Sequence, residues 1–244
     1  MRIRAFVLAG LMLIATRGWA HAGGAAGCKG LPDETTLAAL LTSAPGSGGD
    51  AGGLFHGARM WGATVNRDGA ICAFVTNQAD PTQVWPGSQA IAKAKAYTAN
   101  AFSLDSLALS TARLYTFTQP GHSLWSLGQS NLWDPGFIAP PSGNGGGKNQ
   151  IAAGLIFFGG GVPLYNSSGK IIGGLGISGD TSCTDHEIAK RVRNLANLNP
   201  PGGMLVDDIT YSSVDGASVF THPLCLNTFR NGTFIGNEPA ASGY

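Results

Sequence analysis

The chain has 244 residues, a formal net charge of +1 and 12% charged residues, about half the share of roughly 25% usual in soluble domains. Charge this sparse and balanced excludes a nucleic-acid binder that works by neutralising phosphates, while 43% hydrophobic residues supply a core and exclude a chain disordered by composition. The 37 glycines follow no triplet period, which excludes collagen, and the absence of an internal repeat excludes a solenoid or propeller.

The N-terminus has the layout of a secretory signal peptide. Arg2 and Arg4 precede an uncharged apolar run over 5–15, and Ala20-His21-Ala22 forms a small-x-small cleavage site. That run is too short for a transmembrane helix, and no later segment is long and apolar enough, so no membrane span is expected. Export with cleavage after Ala22 is the expectation. In an oxidising compartment the four cysteines, Cys28, Cys72, Cys183 and Cys225, favour disulfides. Three connectivities are open. Pairing Cys28 with Cys72 and Cys183 with Cys225 joins each terminal extension to the body; a buried free thiol at Cys72 is the alternative.

Residues 31–44 read as a helix with Asp33 and Glu34 in its first turn, where the helix dipole favours negative charge. Residues 45–53 form a Gly/Ser-rich loop. The apolar runs 59–66 and 70–77 flank Arg67-Asp68-Gly69 and read as a β-hairpin. Residues 89–102 are alanine-rich and helical, with Ile91, Ala94, Thr98 and Phe102 on one stripe. Residues 106–115 read as a second, short helix. Residues 119–150 form a long irregular loop containing His122, Trp125 and Trp133. Residues 155–165 and 171–178 are two further strands joined by a turn at 166–170. Residues 184–198 read as a helix opened by a Thr184/Glu187 capping box and closed by Pro200 and Pro201. Residues 204–244 are a tail with weak strand signals near Ile209 and Val219. Strand pairs with tight turns, separated by helices, predict an α+β fold with an antiparallel sheet.

Four stretches in register resemble the GlcG/HbpS family of haem-binding proteins, also called the haem-degrading or PduO C-terminal-like family. They are MWGATVNRDGAICAF in the first hairpin and AKAKAYTANAF, with Lys95, Ala96, Thr98 and Ala99 in the family's helix core. GGGVPLYNSSGKIIGGLGISGD in the second hairpin and TDHEIAKR, with Asp185 in the family's acidic position, complete the set. Together they cover most of residues 58–193. The resemblance implies a profilin-like fold, a five-stranded antiparallel sheet flanked by helices, often in homo-oligomers, and haem or a related tetrapyrrole as ligand. It delimits a signal peptide at 1–22, an N-terminal helix and Gly-rich loop at 23–57, the family domain at 58–199 with its long loop at 119–150, and a C-terminal extension at 200–244. Because the family pattern ends near residue 196, removal of 204–244 is expected to leave a folded core.

Haem iron takes an axial donor such as His or Tyr. No CxxCH motif is present, which excludes covalent c-type attachment. His122, in the aromatic loop YTFTQPGHSLW, is the first candidate ligand to the metal, and His56, after Phe55 in a glycine loop, the second. His186 reads as a solvated residue of a helix start, and His222 as structural. Tyr97 and Tyr115 are candidate phenolates or packed rings. Lys95 is a candidate propionate partner or a helix-surface lysine. Gly160 and Gly161 let a backbone approach a ligand closely or form a strand bulge, and Thr98 is small enough to touch a ligand or pack. A P-loop, a G-x-S-x-G elbow and an HExxH motif are all missing, and no catalytic residue is assigned. The expected function is an exported haem-binding protein for haem capture, storage or sensing. A ligand-free accessory protein on the same fold and a haem-degrading enzyme are the alternatives.

Overall fold

The computed structural model describes residues 25–130, 147–148, 150–152 and 154–241. The expected leader at 1–22 lies outside these residues, as does 131–146 of the long loop. The elements are α1 (Glu34–Ser43), β1 (Trp61–Asn66), β2 (Ile71–Thr76), α2 (Gly87–Ala101), α3 (Leu127–Ser130), β3 (Gly161–Tyr165), β4 (Ile171–Ser178), α4 (Ser182–Leu195), α5 (Ser212–Asp215), β5 (Thr228–Arg230) and β6 (Thr233–Gly236). Strands β1 to β4 form one antiparallel sheet in the order β2-β1-β4-β3, and β5-β6 is a separate ribbon. The α+β class is therefore observed. The sheet has four named strands, and an antiparallel bridge between Ala70 and Ile151 continues it past β2, where a fifth strand would lie.

Both hairpins use the same turn chemistry. Asn66 Oδ1 accepts the N–H groups of Asp68 and Ala70 at 3.0 and 2.9 Å, and Asn166 Oδ1 accepts those of Ser168 and Lys170, both at 3.0 Å. Gly69 and Gly169 follow at φ +84° and +74°. An Asx-type turn with a left-handed glycine three residues on is the local signal that fixes each register.

Helices α1 and α4 cover one face of the sheet, around Leu37, Leu41, Val75, Leu175, Ile177, Ile188 and Val192. Helix α2 covers the other, where Ala92 and Ala96 meet Trp61, Ala63, Val65 and Phe74. Its close approach depends on two glycines of β4. A Cβ at Gly174 would stand 3.0 Å from the Asn100 nitrogen, and one at Gly176 would stand 3.0 Å from Lys95 Cβ. Alanine on the helix and glycine on the strand let the two backbones nearly touch. The expected Ile91/Ala94/Thr98/Phe102 stripe is only part of the buried surface of α2, since Ala92, Lys93, Lys95, Ala96 and Ala99 are buried as well.

Three local expectations are corrected. Residues 106–115 are irregular, with a single 3-10 turn at Thr111–Leu114. The segment before β3 is not a strand from 155; pairing begins at Gly161. Helix α4 is capped by Thr181, whose side chain accepts from Thr184 N–H. Glu187 is thereby freed from the capping-box role and pairs instead with Lys190 and Arg191 at 2.8 and 3.0 Å.

The C-terminal segment is a strap bound into the body. The Arg193 guanidinium forks onto Asp207 at 2.6 and 2.9 Å, with the two side chains 1% and 0% exposed. Lys190 Nζ meets Asp208 at 3.0 Å and donates to Asn231 Oδ1 at 2.8 Å. Ser110 Oγ donates to the Asp207 carbonyl at 2.6 Å, and Cys183 and Cys225 are joined. The strand signals near Ile209 and Val219 amount to one parallel bridge, Thr210–Thr221, while the strap's ribbon lies later, at β5-β6. These buried contacts weigh against the expectation that 204–244 can be removed to leave a folded core. Removal of the strap would leave the buried Arg193 cation without its carboxylate, at a cost of about 3–5 kcal/mol, a large part of the roughly 5–15 kcal/mol of a typical fold. Truncation after Gly203 is expected to abolish cooperative thermal unfolding, and Asp207→Ala to destabilise the full chain by about 3–5 kcal/mol in denaturant titration. A truncated chain that melts as sharply as the full one would show the strap to be an appendage.

Candidate functional site

The two hairpin strands β3 and β4, the start of α4 and the strap converge on Gly159-Gly160-Gly161. Gly160 has φ +120°, and a Cβ on it would lie 2.6 Å from Lys95 Nζ and 2.9 Å from Asp185 Cβ. Gly161 N–H donates to Thr111 Oγ1 at 2.8 Å, and Gly159 N–H to His222 Nε2 at 3.2 Å. Their amides are thus committed within the protein, and the chain threads between α2 and α4 with no room for a ligand beside Gly160 or Gly161.

Lys95 is likewise committed. Its ammonium is fully buried, 2.6 Å from Asp185 Oδ2, and donates to the Ile177 carbonyl at 3.1 Å. It ties α2 to β4 and to the first turn of α4, and it is not a surface lysine. Burial lowers the Lys95 pKa and raises that of Asp185 to about 6, each shift opposed by the partner's charge. Asp185 Oδ1 also accepts Asp180 N–H at 3.0 Å. Thr98 is buried; its Oγ1 donates to the Ala94 carbonyl at 2.7 Å and accepts Ile156 N–H at 3.0 Å. Thr98 therefore pins the segment 155–158.

That pinned segment forms one wall of an open cleft of about 280 Å³. Leu155, Ile156, Phe157 and Phe158 face Tyr115, Gln119 and Trp125 across it. The walls are mostly apolar and aromatic, with Gln119, Thr118 and Ser126 as polar points, the composition expected of a site for a flat apolar ligand. His122 is exposed in the same loop. Its backbone N–H donates to the Gln119 carbonyl at 3.1 Å, and its carbonyl accepts Trp125 N–H at 3.1 Å. The imidazole is thus carried by a turn whose two neighbours line the cleft.

His56 belongs to a different place. It sits at φ +52° in the glycine loop, and its Nδ1 lies 2.8 Å from Asp50 Oδ1, with 59% of the side chain exposed. The Asp50 carboxylate raises the His56 pKa. The residues that line the aromatic cleft include none from the His56 loop. Tyr97 is a packed ring against Gly69.

The strap contributes His222, read from the sequence as structural, and covers His186. His222 is 2% exposed. Its Nδ1 donates to the Pro223 carbonyl at 2.7 Å while Nε2 accepts Gly159 N–H at 3.2 Å. Its ring lies 5.0 Å from that of Tyr115. Burial lowers its pKa to about 4. His186, expected to be solvated, is 1% exposed; its Nε2 accepts Ile209 N–H at 3.2 Å and lies 3.3 Å from Asp208 Oδ1. The paired aromatics Phe157-Phe158 before the glycines were the only local sign of the cleft wall. The bracing by His222 has no local signal, since it spans 63 residues.

Both expected disulfides, Cys28–Cys72 and Cys183–Cys225, are present, with Cα–Cα separations of 5.6 and 6.0 Å. Donor atoms of Cys183, Cys225 and His222 lie within 4.8 Å of one another. The sulfurs are bonded to each other and both imidazole nitrogens are hydrogen-bonded, so this donor set is already satisfied.

Two stability outcomes follow from these burials. Lys95→Met is expected to cost about 3–5 kcal/mol, with Lys95→Met/Asp185→Leu recovering most of it, because the single change leaves an unpaired buried carboxylate. Equal losses in both variants would mean that packing, not pairing, dominates. The His222 imidazole titrates near 6.5 when unfolded and near 4 when folded, so its contribution is fully present above pH 6.5 and is lost as pH falls towards 4. That loss is up to about 3 kcal/mol, readable as a falling melting temperature that flattens in His222→Gln. A His222 NMR titration centred near 6.5 would contradict it.

Residues 56–193 match the family described as "Haem degrading protein HbpS-like". No curated protein matches the chain. Among solved structures, protein ORFY of Klebsiella pneumoniae is 21% identical, over 67% of this chain and 86% of its own, with a TM-score of 0.46. A PduOC–haem complex is 23% identical over 66% and 88%, with a TM-score of 0.45. HbpS is 18% identical over 66% and 84%, with a TM-score of 0.43. The family match spans more than half of the 244 residues, and the chain belongs to the HbpS-like family.

Proposed function

We propose that this chain is an exported haem-binding protein that takes one face or edge of the tetrapyrrole in the aromatic cleft between residues 115–128 and 155–158. The observation that carries this reading is the cleft itself: Tyr115, Trp125, Phe157 and Phe158 converge on it, and an exposed imidazole, His122, stands in the adjoining turn. Aromatic rings suit the flat apolar face of a porphyrin, and an imidazole is a common axial donor to haem iron. The aromatic lining suits the group, and the His122 imidazole, on a turn beside that lining, is the candidate donor. In this reading His122 would hold the haem iron, and Gln119 and Thr118 would offer polar contacts at the cleft. Bound haem would supply redox and gas-binding chemistry; the protein would bind, orient and partly shield it. His56 stays a secondary candidate, with its Nδ1 held by Asp50. Membership of a family described by its haem chemistry supports the same ligand class. Two disulfides and the expected leader support export, where capture, storage or sensing of haem would take place, in an assembly of several copies as the family resemblance implies.

The family description, which names haem degradation, favours one second reading, in which bound haem is also the substrate. Loss of the Soret band under a supplied reductant, with release of an open-chain product, separates turnover from binding.

Titration of the mature protein with haem is expected to give a saturable 1:1 Soret shift. His122→Ala is expected to weaken binding by at least about tenfold and to change the band position. No shift in a folded protein would overturn the haem reading and favour a ligand-free accessory role. An unchanged spectrum in His122→Ala would move the axial ligand elsewhere.

A further inference from the structure

The strap backs the segments that carry the cleft walls, without lining the cleft itself, and these contacts lie within a few residues of Cys225. Phe220 packs edge-on against Phe117 at 5.8 Å and beneath the Arg113 guanidinium at 5.4 Å. The Thr221 carbonyl accepts Thr116 Oγ1–H at 2.6 Å. His222 packs on Tyr115 and holds the Gly159 amide, which directly follows the Phe157-Phe158 wall. One cleft wall is therefore braced through Tyr115–Phe117 and the other through Gly159, by the same three strap residues. The strap is anchored upstream by Asp207 and Asp208 and downstream by buried Thr228 and by Asn227, whose carbonyl accepts Gly53 N–H at 2.9 Å. Between these anchors, the Cys183–Cys225 bond is the one covalent tie to the body among the described residues.

From this arrangement we infer that the Cys183–Cys225 disulfide is a redox latch that sets the geometry, and hence the ligand affinity, of the aromatic cleft. The inference rests on reading that cleft as the ligand site. The step balances with an external dithiol reductant. Two electrons pass to the disulfide and the S–S bond breaks; Cys183 takes a proton, Cys225 is left as a thiolate, and the dithiol closes to its own disulfide, its second proton passing to solvent. Cys225 Sγ accepts the Cys183 N–H at 3.2 Å at the start of the 14-residue helix α4 and lies 3.3 Å from Ser182 Oγ. Backbone donors at a helix N-terminus stabilise a thiolate there. The bond itself is buried, with Cys183 1% and Cys225 7% exposed, so reduction requires the strap segment 220–226 to open locally. Release removes the tether that holds Phe220, Thr221 and His222 against the segments that carry the cleft walls, and the two walls lose their common brace.

The other disulfide is the internal control. Cys28–Cys72 joins the N-terminal turn to β2 and ties no part of the strap.

The test compares Cys183→Ser/Cys225→Ser with Cys28→Ser/Cys72→Ser in the full mature chain. Amide hydrogen exchange reads the cleft without any ligand, and a haem titration reads its affinity. Loss of the first disulfide is expected to speed exchange at Gly159 and at residues 115–118 by at least about tenfold. It is expected to weaken haem binding by about the same factor, while loss of the second disulfide leaves both unchanged. Thr116→Val/Phe220→Ala with both disulfides intact breaks the same bracing from the other side. It is expected to reproduce the faster exchange, and it decides the matter should the serine pair fail to fold. Unchanged exchange at Gly159 and 115–118 would overturn the latch even if haem binds. Faster exchange in a protein that never binds haem would support the latch and overturn the ligand assignment instead.

Discussion

Asp185, Glu187, Lys190, Arg191 and Arg193, all on helix α4, are between 0% and 3% exposed. A buried ion without a partner is among the most destabilising features a fold can carry, so the surroundings of α4 are dictated by the need to pair these five. The partners come from different parts of the chain. Asp185 is met by Lys95 from α2. Arg193 is met by Asp207, and Lys190 by Asp208 and Asn231, all from the strap. Arg191 pairs with Glu187 and donates to the carbonyls of Pro45, Gly48, Gly49 and Asp50, which gathers the glycine-rich loop onto the helix. The strap and the glycine loop, which composition alone marks as loose, are ordered because α4 requires their oxygen atoms.

The cleft is a by-product of that pairing. Once Asp207 and Asp208 fix one end of the strap on α4, its continuation runs past Cys183 and lays Phe220, Thr221 and His222 against the segment 113–118. Thr98 on α2 meanwhile pins residues 155–158 from the other side. The aromatic walls thus belong to neither hairpin; they are loops held by three layers of structure. That is a common way to place a binding surface on a rigid scaffold.

The legible parts of the sequence were those governed by local rules. Both hairpins announced themselves through Asn-x-x-Gly turns between apolar runs, and α2 through its alanines. The cysteine pairing followed from each extension needing one attachment to the body. Less was visible where long-range pairing decides the outcome. Lys95 looks like a helix-surface residue because its partner lies 90 positions away, and Gly160 looks like a ligand cradle because nothing local shows that the Lys95 and Asp185 side chains fill the space above it. His186, next to an acidic residue at a helix start, has the pattern of a solvated first turn and is buried only because the strap covers it. The strap itself carries little periodicity, since polar contacts rather than an apolar stripe hold it. Of the candidate site, His122 and Tyr115 were legible from the aromatic loop and His222 as a structural residue, whereas the wall formed by Phe157 and Phe158 and the Gly159 amide that His222 braces were not.

The central claim is that the aromatic cleft, and not the His56 loop or the glycine triplet, is where a tetrapyrrole meets the chain. Mapping amide chemical shifts while haem, or a diamagnetic zinc porphyrin, is added to the isotope-labelled mature protein tests it most directly. Saturable perturbations concentrated at residues 115–128 and 155–158 are predicted, with the amides of Leu54 to Ala58 and of Gly160 and Gly161 unmoved. Perturbations centred on Leu54 to Ala58 and Trp85, with the cleft silent, would contradict it.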